Sequence, residues 1–175
     1  SHTMAHYWDT LCAHAFGNYR NLLEAVTLHP AMGQYLNTRG NQKENPATAR
    51  LPDENYAREV LQLFSIGLYQ LNPDGSEQRD AQGNRLETYT QSDISNLARV
   101  FTGYEFDQNA NVVTELTESK RKRKVGNRIY AQRPMVLVSN RHSELEVRFL
   151  GSTIPAKTSG MQALKQALDT IFNHP

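Results

Sequence analysis

Five polar residues in one short stretch have the types and spacing to do chemistry. Asn55, Glu59 and Gln62 stand at steps of four and three, which puts their side chains on one face of a helix. Glu54 and Arg58 are four apart and placed to pair. Such a stripe could line a cleft, with Glu59 as general base or metal ligand and Arg58 holding an anion. The plainer reading is a solvated helix face with one surface ion pair, the commoner use of such a pattern. His142, joined by Glu144 or by Glu59, could hold a divalent metal, because imidazole nitrogen and carboxylate oxygen both coordinate such ions. The spacings that make a metal site legible in sequence, HxxxH, HExxH or paired cysteines, are missing. Asn72, Asp74, Ser76 and Asp80 offer oxygen ligands, but not in the EF-hand order, and Pro-Asp-Gly is explained by turn geometry. Lys120, Arg121, Lys122, Arg123 and Lys124 form a run of five cations that could grip a polyanion; otherwise they form a solvated loop. No aromatic residue interleaves them before Tyr130, so base stacking has no support and no specific nucleic-acid signal is present. No GxSxG motif and no glycine-rich phosphate loop is found.

These residues need a frame, and the chain is long enough to build one. Its 175 residues are 38% hydrophobic and 21% charged, a globular composition with material for a buried core. Nineteen basic residues against eighteen acidic ones leave net charge silent about partners. No apolar run approaches the roughly 20 residues needed to span a bilayer. The single cysteine, Cys12, falls on an apolar stripe and reads as a small core residue.

The stripe runs from Trp8 through Leu11, Cys12, Ala15, Phe16, Tyr19, Leu22 and Leu23 to Val26, predicting a long first helix that Gly17 interrupts and Pro30 ends. A short helix with Met32, Tyr35 and Leu36 follows, then a polar loop over 37–53. Asp53 is placed to cap the helix that carries Glu59, with Tyr56, Val60, Leu63 and Phe64 on its apolar side and Gly67 at its end. Two turn signals, Asn72–Gly75 and Asp80–Asn84, predict a hairpin or extended excursion over Leu68–Tyr89. Thr90 and Asp93 have capping-box spacing before Ile94, Leu97, Ala98 and Phe101, and Gly103 suits that helix's end. Met135–Val138 and Val147–Leu150 predict a small antiparallel element. A last helix begins near Ser159, with Gln162 as capping partner and Met161, Leu164, Leu168, Ile171 and Phe172 as its stripe. The segment 23–30 echoes 168–175, and both end in His-Pro; helix punctuation explains the echo. A further helix follows the first copy, so the second points to a longer polypeptide.

The stretches Leu51–Gly67 and Tyr89–Gly103, with Leu28-His29-Pro30-Ala31-Met32 ahead of them, resemble the bacterial family known as domain of unknown function 1800. The resemblance covers nearly the whole chain in order. It implies a longer, mostly helical, extracytoplasmic protein of which this is a central part, and no established activity. The family often has His where Phe64 stands and Trp where Tyr104 stands. It tends to carry His-Asp, then a basic residue and Leu-Gly; here the match is His142-Ser143, then Arg148-Phe149-Leu150-Gly151.

The expectation is therefore a mainly α fold, with amphipathic helices packed around one core and a small antiparallel β element. Ser1–Met4 look like the remnant of a cleaved tag, which leaves 5–175 as a single, mostly helical domain. The leading function is a helical scaffold or interaction module of an exported protein, whose partner is another protein or the rest of the full-length chain. The alternatives are a metal-dependent hydrolase-like enzyme using Glu59 and His142, with Arg58 as anion holder, and polyanion binding through 120–124. No cofactor is specified.

Overall fold

The structure, a computed structural model, describes residues 2–118 and 121–175, with Glu118, Arg121, Arg123 and Lys124 described by backbone alone. Among the described residues there are six α-helices: α1 (His2–His14), α2 (Tyr19–Thr27), α3 (Pro30–Tyr35), α4 (Asn55–Gln62), α5 (Gln91–Val100) and α6 (Gly160–Phe172). The six strands are β1 (Tyr104–Glu105), β2 (Val113–Glu118), β3 (Arg121–Gly126), β4 (Val136–Leu137), β5 (Val147–Phe149) and β6 (Ser152–Ile154). They form three separate antiparallel pairs, β1 with β4, β2 with β3, and β5 with β6. The fold is thus mixed, helices with small antiparallel ribbons, rather than mainly α. None of the described helices is long and apolar enough to cross a membrane.

The expected first helix is two helices. Asn18 takes an extended backbone, and its side chain accepts a hydrogen bond from the Arg20 amide, capping α2 and closing off α1 behind it. The break puts the two halves of the apolar stripe out of phase. Leu23 and Val26 enter the core, while α1 buries no residue outright. Trp8 is 68% exposed, Phe16 lies wholly in solvent, and Cys12 is exposed rather than a core residue. Tyr7 and Leu11 carry the packing of α1 against the core, each partly buried.

The later helices follow their patterns more closely. Thr90 and Asp93 form the full capping box, and Ile94, Leu97, Ala98 and Phe101 are all buried. Asp93 also accepts the Leu150 amide at 2.9 Å, fixing the β5–β6 hairpin to the start of α5. In α4 the buried residues are Tyr56, Ala57, Val60 and Leu61, while Leu63 points outward, because the helix ends at Gln62 before Leu63 can complete the stripe. In α6, Leu164, Leu168 and Ile171 are buried as expected, joined by Ala163 and Ala167; Met161 and Phe172 are exposed. Ser159 bonds Gln162 side chain to side chain at 3.1 Å. The hydrophobic cluster draws on α2, α4, α5, α6 and the strands, with Tyr56, Phe101, Tyr104 and Phe149 among its largest buried side chains. Arg20 ties α2 to α6 through Asp169 at 2.7 Å while also holding Glu24 at 2.8 Å.

Both segments expected to form one antiparallel element are strands, with different partners. Val136–Leu137 pairs with Tyr104–Glu105, and Val147–Phe149 with Ser152–Ile154. The excursion over 68–89 folds back on itself twice: Gln70 bonds Leu86 and Gln78, and the turns close through Asn72–Ser76 and Asp80–Asn84.

Candidate functional site

The polar face of α4 meets α5. Arg58 donates to Glu54 Oε2 and to Gln91 Oε1, each at 3.3 Å. Glu54 accepts in turn from Gln91 at 2.8 Å and from Ser95 at 2.6 Å. The i,i+4 pairing of Glu54 with Arg58 is therefore present, and it forms part of a four-residue tie between two helices. Arg58, Gln62, Glu87, Tyr89 and Gln91 line a pocket of ≈190 Å³. Burial raises the pKa of the Tyr89 hydroxyl; Arg58 opposes this shift and the carboxylates of Glu59 and Glu87 add to it. Glu59 differs from its neighbours on α4. Its Oε2 is buried and has no hydrogen-bond partner. A buried carboxylate oxygen without a donor is an uncompensated cost of about 1–3 kcal/mol, so its presence needs an explanation.

His142 lies outside that pocket and bonds the backbone. It is buried, and its Nδ1 sits 2.9 Å from the Thr102 carbonyl, so that nitrogen carries the proton and donates. Gly103, at φ +90°, lets the backbone come this close: a Cβ there would meet the His142 backbone nitrogen at 3.0 Å. Ser143, in the place where the resembling family tends to have Asp, donates to both carboxylate oxygens of Glu44 at 3.0 Å. Thr102 accepts the Ser143 amide at 2.9 Å and donates to Arg99 O. The pocket beside His142 has a volume of ≈10 Å³, room for about one water. Glu59 and His142 share no hydrogen bond and no pocket described here. Among the described residues no group of three His, Cys, Asp or Glu comes together to hold a metal.

The basic run is ladder rather than loop. Lys120 lies outside the described residues. Arg121, Lys122, Arg123 and Lys124 belong to β3, in register with Glu118, Thr117, Leu116 and Glu115 of β2. Across the ribbon Lys122 lies 3.9 Å from Glu115, an exposed ion pair of opposite charges on neighbouring strands. Successive positions along a strand alternate between its two faces, so 121–124 fall on both faces of the ribbon.

Sequence reading passed over His29, which it took as the residue before a helix-ending proline. His29 is buried and caps α3, its Nδ1 accepting the Ala31 amide at 3.1 Å. His6 of α1 lies beside it, the two rings within 24° of parallel, with centroids 5.0 Å apart and His6 Nδ1 2.9 Å from His29 Nε2; Tyr7 meets the same ring edge-on. The available signal was a capping-competent side chain before Pro30 at N1. Nothing in the sequence pointed to His6. A cavity of ≈620 Å³ is lined by Tyr19, Tyr69, Gln70, Gln78, Ile171 and Phe172 among others. Its size suits a small molecule. One side-chain N–H of Gln70 is committed to the Glu87 carbonyl and one of Gln78 to the Leu71 carbonyl.

A mixed fold of short helices and small antiparallel ribbons, in which polar residues join neighbouring elements, is the class these features define. The chain belongs to the family described as "Protein of unknown function (DUF1800)", whose model it matches over residues 1–175. No curated protein and no solved structure gives a significant match.

Proposed function

We propose that this chain is a helical scaffold, a part of an exported protein that holds a surface in place rather than transforming a substrate. One observation carries the reading: Arg58 and His142, two of the three residues placed to do chemistry, each bond to another structural element. The extracytoplasmic setting rests on the family resemblance alone. The partner in this reading is the remainder of the longer polypeptide that the resemblance implies. It would dock on the exposed apolar side of α1, where Trp8 stands in solvent. Trp8 is the only tryptophan of these 175 residues, so its fluorescence reports its own exposure, and in the longer protein it does so once any other tryptophan is replaced by Phe. The emission of the isolated chain should be that of a solvated indole and readily quenched by acrylamide. In the longer protein it should move to shorter wavelength and resist quenching. Identical spectra in both would overturn the docking, and turnover of any substrate by the isolated chain would overturn the scaffold reading.

A second reading has its own support in the unpartnered oxygen of Glu59, which a metal ion or a substrate donor would satisfy. A thermal scan against a panel of divalent metals, with a chelator control, decides it. A metal-specific rise in Tm that Glu59→Ala abolishes would establish a site centred on Glu59. A Tm unmoved by every metal, together with a Tm raised by Glu59→Leu, would show an uncompensated buried group and nothing more; the expected gain is about 1 kcal/mol.

A further inference from the structure

The contact between α1 and α3 is organised by two imidazoles whose proton positions are fixed by their surroundings. His29 Nδ1 accepts the Ala31 amide, so that nitrogen carries a lone pair. A neutral imidazole with an unprotonated Nδ1 has its hydrogen on Nε2. His29 Nε2–H therefore donates across 2.9 Å to His6 Nδ1. The same tautomer excludes a metal ion shared between these two nitrogens, since Nε2 has no lone pair to give. One polarised row thus runs from the Ala31 amide through His29 to His6, and it joins the cap of α3 to the flank of α1.

We propose that His6 and His29 form a proton-operated latch, holding α1 against the body while His6 is neutral and releasing it when His6 Nδ1 takes up a proton. A proton on His6 Nδ1 sets N–H against N–H. Flipping the His29 tautomer to relieve that contact moves the clash to the Ala31 amide, so either the latch or the cap is lost. Beyond His29 Nε2, no hydrogen-bond partner of the His6 ring is found among the described residues. On α1, Tyr7 packs edge-on against His29, and Asp9, the acidic residue of the helix, stands three positions on from His6 and is exposed. On α2 the nearest charge is Glu24, which lines the same ≈350 Å³ cavity and is held by Arg20. On α3 the only titratable group is Tyr35, which is exposed. The segment that closes the cavity from the other side contributes Pro134, and Tyr130 nearby is stacked on Phe106. Charging His29 itself is opposed by its burial and then by His6, which together hold its pKa down to about 4. The hydrogen bond weighs heavily because α1 has no fully buried residue to anchor it.

The test is amide hydrogen exchange of residues 5–14 and 28–36 at pH 7.5 and 5.5, corrected for intrinsic exchange, on the whole chain and on His6→Gln, which keeps an acceptor but cannot titrate. The latch requires α1 protection in the wild type to fall about fivefold or more between the two pH values, the equivalent of one hydrogen bond. His6→Gln should hold its protection across the same interval. Imidazole nitrogen NMR at pH 7.5 provides a readout independent of any variant's folding. It should find His29 with its proton on Nε2 and none on Nδ1. The opposite tautomer, or an equal loss of protection in His6→Gln, would overturn the proposal.

Discussion

Two single residues show how closely this fold constrains side-chain chemistry. Gly103 sits at φ +90° with the His142 backbone 3.0 Å from where a Cβ would be. Both the left-handed backbone and the lack of space exclude a larger residue. Gly103→Ala should therefore lower Tm by several degrees, from a cost of about 1–3 kcal/mol in a chain of this length, as read by a thermal scan. Gly40→Ala is the control: it has φ +75° and nothing within 4 Å, so only the backbone cost applies and its loss should be the smaller. Tyr56 makes the opposite point. It is a fully buried tyrosine whose hydroxyl meets Thr27 at 2.7 Å and whose ring stands edge-on to Phe101. Burial raises its pKa, so the phenol stays protonated and structural.

At the scale of elements, the α5 cap serves two structures. Asp93 closes the capping box with Thr90 and also accepts the Leu150 amide of the β5–β6 hairpin. Thr90→Ala removes only the threonine's part of the box, for about 1 kcal/mol. Asp93→Ala should cost more, because it also leaves the Leu150 amide unpaired, and the two denaturation midpoints should rank in that order. The cap was legible in sequence because its signal is local, four residues long and chemically specific. The α5 stripe was legible for the same reason, as was the Glu54–Arg58 pair. The split between α1 and α2 was not. Apolar periodicity continues through Gly17, and the competing signal, Asn18 as a cap, is a single residue inside a strong pattern. Strand existence near 136 and 147 could be read from β-prone runs, but strand partners could not, since Tyr104–Glu105 as the partner of Val136–Leu137 is a pairing between distant segments. The His6–His29 pair was hidden for that reason too: two residues 23 positions apart with no common motif.

For the molecule as a whole, His29 makes stability depend on pH with a definite sign. Its folded pKa is lowered from 6.5 to about 4, so the unfolded chain binds the proton more readily. Stability from this group is fully present above about pH 6.5 and is lost as pH falls toward 4, at no more than about 1.4 kcal/mol per pH unit. Denaturant midpoints measured between pH 7.5 and 4 should fall across that window, and His29→Asn, which can still cap α3, should flatten the profile. An unchanged slope in the variant would assign the acid sensitivity to other groups.

The β2–β3 ribbon has a consequence for anything that binds its basic strand. Glu115 of β2 lies 3.9 Å from Lys122 of β3, so this cation of the strand comes supplied with its own counterion. An arriving polyanion would act as a competitor there, displacing a carboxylate already in place, and would release fewer small ions than the same cation would if bare. Retention on an anionic matrix should then fall less steeply with salt than the charge of the run alone suggests, and Glu115→Gln should steepen that dependence and strengthen retention.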